Sequence, residues 1–324
     1  MKNELAQVQS ERQIVAPDFD VLAMLLQDKR SDNTRRAYQN DVTQFFSSVY
    51  SAEPSPELLR RFFAQTTPEM TAQILHYKAK LLTEKRAEAT VNRRMSAIKS
   101  LLKMARRVGA TQANPDQSLD AEKVIQYRDT RGISAEQAKT LLRLPDKSTP
   151  KGRRDMALLL LLLENALRRA EICTLRRADF EQEGARIWIV GKGRGTQKQA
   201  VTVSRRCVQA IEFTLSDRGE IAPNAPLFVN FHRGYAENRL SEAGLYFLIR
   251  EYAEQAGFDA PLSPHRLRHT AITMALDASG GDIRKVQRLS RHVKMETLRI
   301  YDDNRQDLQG EMTNSLSRLL EDEP

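Results

Sequence analysis

Apolar residues recur three and four positions apart along most of this 324-residue chain, which is the period of an α-helix. Phe19, Val21, Leu22, Leu25 and Leu26 begin the pattern, so a first helix is expected to start near Phe19. Ser31 or Asp32 is expected to cap a second helix that carries Tyr38, Val42, Phe45 and Phe46. Pro54 and Pro56 open a third segment, and Pro68 opens a fourth. The clearest stripe lies in residues 89–108, where Val91, Met95, Ile98, Leu102 and Ala105 share one face. Arg93, Arg94, Lys99, Lys103, Arg106 and Arg107 take the other face, and Gly109 suits the C-terminal stop. Residues 19–110 therefore predict an all-helical domain behind a polar tail, 1–18.

Residues 111–131 are polar and include Asn114-Pro115, which predicts an interdomain linker. A second domain, 132–324, is expected to open with Ser134 and Gln137 as a capping box. Helices are predicted over 134–144, 155–166 and 169–175. The period then shortens: 186–190 and 199–203 read as antiparallel strands joined by the glycine-rich turn 191–195. Helices resume to the end. Leu308, Met312, Leu316, Leu319 and Leu320 mark a last helix at about 306–321. The fold class is mainly α with a small antiparallel β-sheet: an all-helical domain followed by an α+β domain.

Composition narrows the picture modestly. Apolar residues make up 40% of the chain and aromatics 6%, so a core of aliphatic side chains is expected. Lysine plus arginine number 51 against 42 acids, a net charge of +9. That surplus points to an anionic partner, of which DNA is the commonest. Cys173 and Cys207 stand in no metal-binding spacing, so both read as buried thiols of a reduced, intracellular protein. The N-terminal residues lack the apolar stretch of a signal peptide. The longest apolar run, 156–163, is far short of the roughly 20 residues a membrane span needs. It reads as a buried helix.

Six residues suggest chemistry. His265 and Arg268 are three apart behind Ser263-Pro264, on one face of a helix N-terminus, where anions bind well. Arg168 ends a buried apolar helix. Lys192 stands between two glycines at a hairpin tip, with Lys198 as an alternative. His292 and Tyr301 are nine apart. Taken singly, Arg168 could complement a helix dipole, Lys192 could be a solvated turn lysine, His265 a cap and Tyr301 a core residue. Together they hold no carboxylate pair and no metal-ligand cluster. They suit a phosphodiester. Guanidinium forks bind its oxygens and offset charge in the transition state. A tyrosine hydroxyl can be the nucleophile, and lysine or histidine can move protons. Nothing joins His76 or His232 to this set, and His269 reads as support for Arg268.

The motifs resemble those of the tyrosine recombinase family, which includes phage integrases, the Xer recombinases and Cre. Ala166-Leu-Arg-Arg-Ala-Glu-Ile172 is similar to its first box, usually G-L-R-x-S/A-E-L. Gly191-Lys192-Gly193 matches the β-hairpin lysine turn, and His265-Arg-Leu-Arg-His269 matches H-x-x-R-H. Leu289-Ser-Arg-His292 precedes Tyr301 at the family's spacing. Two positions depart from the pattern: Ala166 and Arg291 stand where the boxes carry glycine.

The resemblance implies two domains forming a C-shaped clamp on DNA, the N-terminal one being a core-binding domain, with Arg93, Arg94 and Lys99 as candidate DNA contacts. It implies that Tyr301 attacks the scissile phosphate to give a 3′-phosphotyrosyl link and a 5′-hydroxyl. Arg168 and Arg268 would hold the phosphate, Lys192 would protonate the leaving oxygen, His265 would assist proton transfer, and His292 would hydrogen-bond the phosphate. Glu171 would orient neighbours. No cofactor, metal or ATP is implied. Strands would exchange through a Holliday junction in a homotetramer assembled on inverted half-sites from free monomers, with room for accessory proteins. The last helix would dock on a neighbouring protomer or on its own domain. The short N-terminal segment implies no separate arm-binding domain, as in the Cre and Xer type. Such a protein would be cytoplasmic and nucleoid-associated, of bacterial, phage or plasmid origin. Type IB topoisomerase-like relaxation and a catalytically idle DNA-binding relative are the alternatives.

Overall fold

The computed structural model describes residues 20–124, 132–191, 195–231, 238–305 and 308–320. The tail 1–18, residues 125–131 of the expected linker, Lys192 and His232 lie outside the described residues. The chain divides into two compact units, Met1–Gln126 and Tyr127–Pro324.

The first unit holds α1 (Val21–Asp28), α2 (Asp32–Tyr50), α3 (Pro56–Phe63), α4 (Thr67–Thr83) and α5 (Glu88–Arg107). Their starts follow capping chemistry. Asp20 accepts from the Ala23 N–H, Ser55 accepts from the Leu58 N–H ahead of Pro56, and Thr66 pairs with Glu69. Helix α5 buries the expected stripe and ends before Gly109, whose φ of +75° suits glycine. The core is less aliphatic than composition suggests. Phe45 meets Phe46, Phe62 and Tyr77 edge-on, with centroids 5.3 to 5.5 Å apart. Aromatics are scarce overall but concentrated here.

The first part of the expected linker 111–131 is not a linker but belongs to the helical unit. Ala113 and Leu119 are buried in this unit's core. Lys99 donates to the Leu119 carbonyl at 2.6 Å, and the Asn92 amide pairs both ways with the Glu122 backbone at 2.8 Å. Residues 111–124 are laid along the helical unit although most of their side chains are polar.

The described residues of the second unit begin at Gly132, where no side chain fits. A Cβ there would come within 2.2 Å of Thr270 Oγ1, which also accepts the Ile133 N–H at 2.9 Å. Helix α6 (Ala135–Arg143) starts with the Ser134–Gln137 capping box. Helix α7 (Pro150–Leu163) buries Met156 through Leu163 on all sides, as a central helix must. It starts before the expected 155, because Thr149 caps it and Pro150 suits its first turn. Helix α8 (Arg169–Thr174) follows, then β1 (Phe180–Glu181), β2 (Arg186–Val190) and β3 (Lys198–Thr202). The three strands form an antiparallel sheet in sequence order, with Ile187 opposite Val201 and Val190 opposite Lys198. The two-residue β1 is too short to leave a period in the sequence. Helices α9 (Arg205–Ser216), α10 (Glu242–Gln255), α11 (Pro264–Ala278), α12 (Ile283–Ser290), α13 (Glu296–Arg305) and α14 (Leu308–Leu320) complete the unit. Helices α9 and α11 pack on α7. Cys173 and Cys207 are buried, and burial pushes both thiols up to about 12. Among the described residues, no helix is long and apolar enough to cross a membrane.

Candidate active site

The site starts at the turn between α7 and α8. Arg168 was expected to close the buried helix. Instead α7 ends at Leu163, and Arg168 stands immediately before α8. The reversal is made at Ala166, whose φ is +47°. Glu171, nearly buried in the first turn of α8, receives Arg168 twice. Its Oε2 accepts the Arg168 backbone N–H at 2.8 Å, and its Oε1 accepts Arg168 Nη1 at 2.7 Å. The Arg168 guanidinium therefore has a fixed root and a side chain 28% exposed.

Helix α11 supplies the second cluster. Ser263 accepts the Arg266 N–H at 3.2 Å and Pro264 fills the first position, as the sequence predicts. His265 lies exposed at this N-terminus, while Arg268 is only 2% exposed. Arg268 donates from Nη1 to the Ala166 carbonyl, and from Nη2 to the Ser290 carbonyl at 2.5 Å. Burial, with Arg168 and Arg291 nearby, pulls its guanidinium down to about 9. The Nε2 atoms of His265 and His269 are 2.8 Å apart.

The third cluster follows α12. The residue after Ser290 is Arg291, at φ +58° and ψ +35°. Both positions where the family boxes carry glycine, 166 and 291, are thus left-handed turns, each costing a residue with a Cβ roughly 1–2 kcal/mol. Arg291 turns the chain so that His292 Nε2 comes 3.4 Å from Arg268 Nη2 and Nδ1 comes 3.1 Å from Ser290 Oγ. Burial, then the charges of Arg268, Arg168 and Arg291, push His292 down to about 4. Tyr301 sits on α13, 5% exposed, packed with Leu298, Ala271 and Ala166. Its ring lies edge-on to His269 at 5.1 Å and tilted against His292 at 6.0 Å.

Five of the six sequence candidates thus meet in one place; Lys192 lies outside the described residues. Its alternative, Lys198, is ion-paired with the nearly buried Asp179. The sheet is tied to the site nonetheless, because Asn165 Nδ2 donates to the Thr202 carbonyl at 2.8 Å. A cleft of about 780 Å³ opens between β3 and α12, lined by Gln199, Thr202, Arg288, Arg291 and His292 among others. No His, Cys, Asp and Glu cluster able to hold a metal occurs among the described residues. The groups present can bind a phosphate through guanidinium N–H, offer an imidazole on either side, and supply a phenol.

The three candidate DNA contacts on α5 belong to the first unit, and each has work inside it. Arg93 is ion-paired with the fully buried Asp41, Arg94 donates to the Tyr77 hydroxyl at 3.0 Å, and Lys99 holds the Leu119 carbonyl. Of these only Arg93 is exposed; Lys103 and Arg107 of the same helix are exposed as well. Asn165 and Ser290 also serve the site, through their backbone carbonyls, the Asn165 amide and the Ser290 hydroxyl, and no sequence signal marks either.

A model of the phage integrase family matches residues 131–307, and one of the phage integrase N-terminal SAM-like domain matches residues 21–109. A tyrosine recombinase of Synechococcus elongatus is 44% identical over 99% of this chain and 100% of its own length. One of Synechocystis sp. is 43% identical over 93% of this chain and 96% of its own. A lambda integrase dimer bound to a core site superposes with a TM-score of 0.60 at 14% identity, over 88% of this chain and 76% of that one.

Proposed function

Because the chain belongs to the phage integrase family of tyrosine recombinases, we propose that it recombines double-stranded DNA at specific sites with Tyr301 as nucleophile. One observation carries the reading. Arg168, His265, Arg268 and His292 converge from three separated segments on the neighbourhood of a single tyrosine.

The Tyr301 oxygen attacks the scissile phosphorus. The 5′-oxygen leaves and takes a proton from Lys192, and a 3′-phosphotyrosyl link remains. Arg168 and Arg268 hold the nonbridging oxygens and offset their growing charge. Arg268 suits this task because two carbonyls fix it before DNA arrives. A neutral His292 accepts from Arg268 and helps hold it beside the phosphate without adding repulsion to the two arginines. His265 takes up the tyrosine proton. The ester link stores the phosphodiester energy, so a 5′-hydroxyl from a partner strand completes the exchange without ATP.

The exchange needs two duplexes, a Holliday junction and four protomers. Helix α14 supports that assembly by exposing Met312, Leu316, Leu319 and Leu320 along one helix, which suits docking on a neighbouring protomer. The runner-up is relaxation of the type IB topoisomerase kind, which needs neither a site nor a partner. The two are separated with plasmids carrying the half-sites that the protein selects from a randomised duplex pool. Recombination predicts joined products only when both plasmids carry the site. Efficient relaxation of site-free plasmid without joined products would favour the runner-up.

A further inference from the structure

We infer that Arg291 is a positioning residue for Arg168, acting through Glu171 from a place where the family box carries glycine. The inference rests on the reading of Arg168 as a phosphate ligand.

Position 291 asks for glycine on backbone grounds, since its φ is +58°. The arginine there is not a surface side chain that tolerates the turn. Its side chain is 9% exposed and runs back under the α7–α8 turn. Nη1 donates to the Asn165 carbonyl at 3.1 Å and the Leu289 carbonyl at 2.6 Å. Nη2 donates to the Ala166 carbonyl at 3.0 Å and to Glu171 Oε2 at 3.1 Å. Glycine could make none of these four bonds.

Two consequences follow. Glu171 Oε2 also accepts the Arg168 N–H, and its Oε1 holds the Arg168 guanidinium. Arg291 therefore anchors the carboxylate that orients Arg168. It also supplies a second cation, so Arg168, Glu171 and Arg291 together carry net positive charge and Glu171 does not cancel the attraction of Arg168 for phosphate. Meanwhile the Ala166 carbonyl accepts from both Arg268 and Arg291, so the residue that anchors Glu171 shares one backbone oxygen with the second phosphate-binding arginine.

Backbone and side chain thus pull in opposite directions at this position, and Arg291→Gly separates them. The probe is a nicked duplex bearing the half-sites selected by the wild-type protein from a randomised pool. Three quantities are read: the single-turnover rate of covalent adduct formation, the Kd for the same duplex, and Tm. We expect Arg291→Gly to keep Tm near wild type, because relief of the left-handed turn offsets the lost bonds, and to weaken Kd by no more than a few-fold, while adduct formation slows by roughly 10- to 100-fold, the scale of a misplaced catalytic group. Arg291→Lys, which keeps the charge without the fork, should fall between, and millimolar guanidinium ion should restore part of the rate to Arg291→Gly. Adduct formation at the wild-type rate in Arg291→Gly would overturn the inference. So would Tm, Kd and rate falling together in both variants with no response to guanidinium. A wild type that forms no adduct would instead remove the reading of the site, and this inference with it.

Discussion

His292 Nε2 faces Arg268 Nη2 across 3.4 Å, and Arg268 is almost wholly buried. A guanidinium can only donate, so this imidazole nitrogen presents its lone pair and the hydrogen lies on Nδ1, toward Ser290 Oγ. Burial and three nearby arginines hold His292 neutral, with its pKa down to about 4.

That arrangement makes a pH prediction. The folded value lies below the unfolded one of about 6.5, so the unfolded chain binds the proton first as pH falls. Stability from this group is complete above about pH 6.5 and is lost progressively toward about pH 4. Thermal melts across this range should therefore show a steeper acid decline for wild type than for His292→Gln. Parallel curves would mean that His292 is not held neutral by its surroundings.

The 2.8 Å approach of His265 Nε2 to His269 Nε2 requires one nitrogen to donate and the other to accept. His269→Phe keeps a ring against Tyr301 and removes the shared hydrogen bond. It should fold with little change in Tm and lower the cleavage rate by about 10-fold or more, toward the range of lost acid–base assistance. His265→Ala should cost at least as much. A His269→Phe protein as fast as wild type would leave His269 a packing group only.

Basic residues of α5 should separate by their internal contacts. Arg94→Ala and Lys99→Ala each remove a hydrogen bond inside the first unit and should lower stability by about 1 kcal/mol. Arg93→Ala should cost more, because the buried Asp41 carboxylate loses its partner. Lys103→Ala and Arg107→Ala, both exposed, should leave Tm alone. If α5 meets DNA, each should weaken binding and reduce the salt dependence by about one counterion. Melts beside binding isotherms at several salt concentrations distinguish the two groups.

Much of this was legible in the sequence, for physical reasons. The stripe Val91, Met95, Ile98, Leu102 and Ala105 announces α5 because one helix face must be buried. Strand β2 is legible from Arg186 to Val190 because Ile187 and Ile189 alternate with outward residues. The side chains of the candidate site stand out in the sequence because their chemistry resides in their own letters. Backbone acceptors carry no such letter. The Ala166 and Ser290 carbonyls that fix Arg268 depend on a left-handed turn and a helix end. Residues 111–124 looked like linker because their composition is polar, yet they dock through carbonyls that meet Lys99 and Asn92. Arg291 stands out as a departure from a motif, but three of its four partners lie more than 100 positions away.

Whether Tyr301 becomes covalently joined to DNA is decided by trapping on a nicked suicide duplex. The nick lets the short strand diffuse away after attack, so the ester cannot be reversed. Wild-type protein should give a protein–DNA adduct that resists denaturant, maps by peptide mass spectrometry to Tyr301, and is absent in Tyr301→Phe while DNA binding persists. An adduct that survives in Tyr301→Phe, or none from wild-type protein bound to its selected site, would contradict a covalent role for Tyr301.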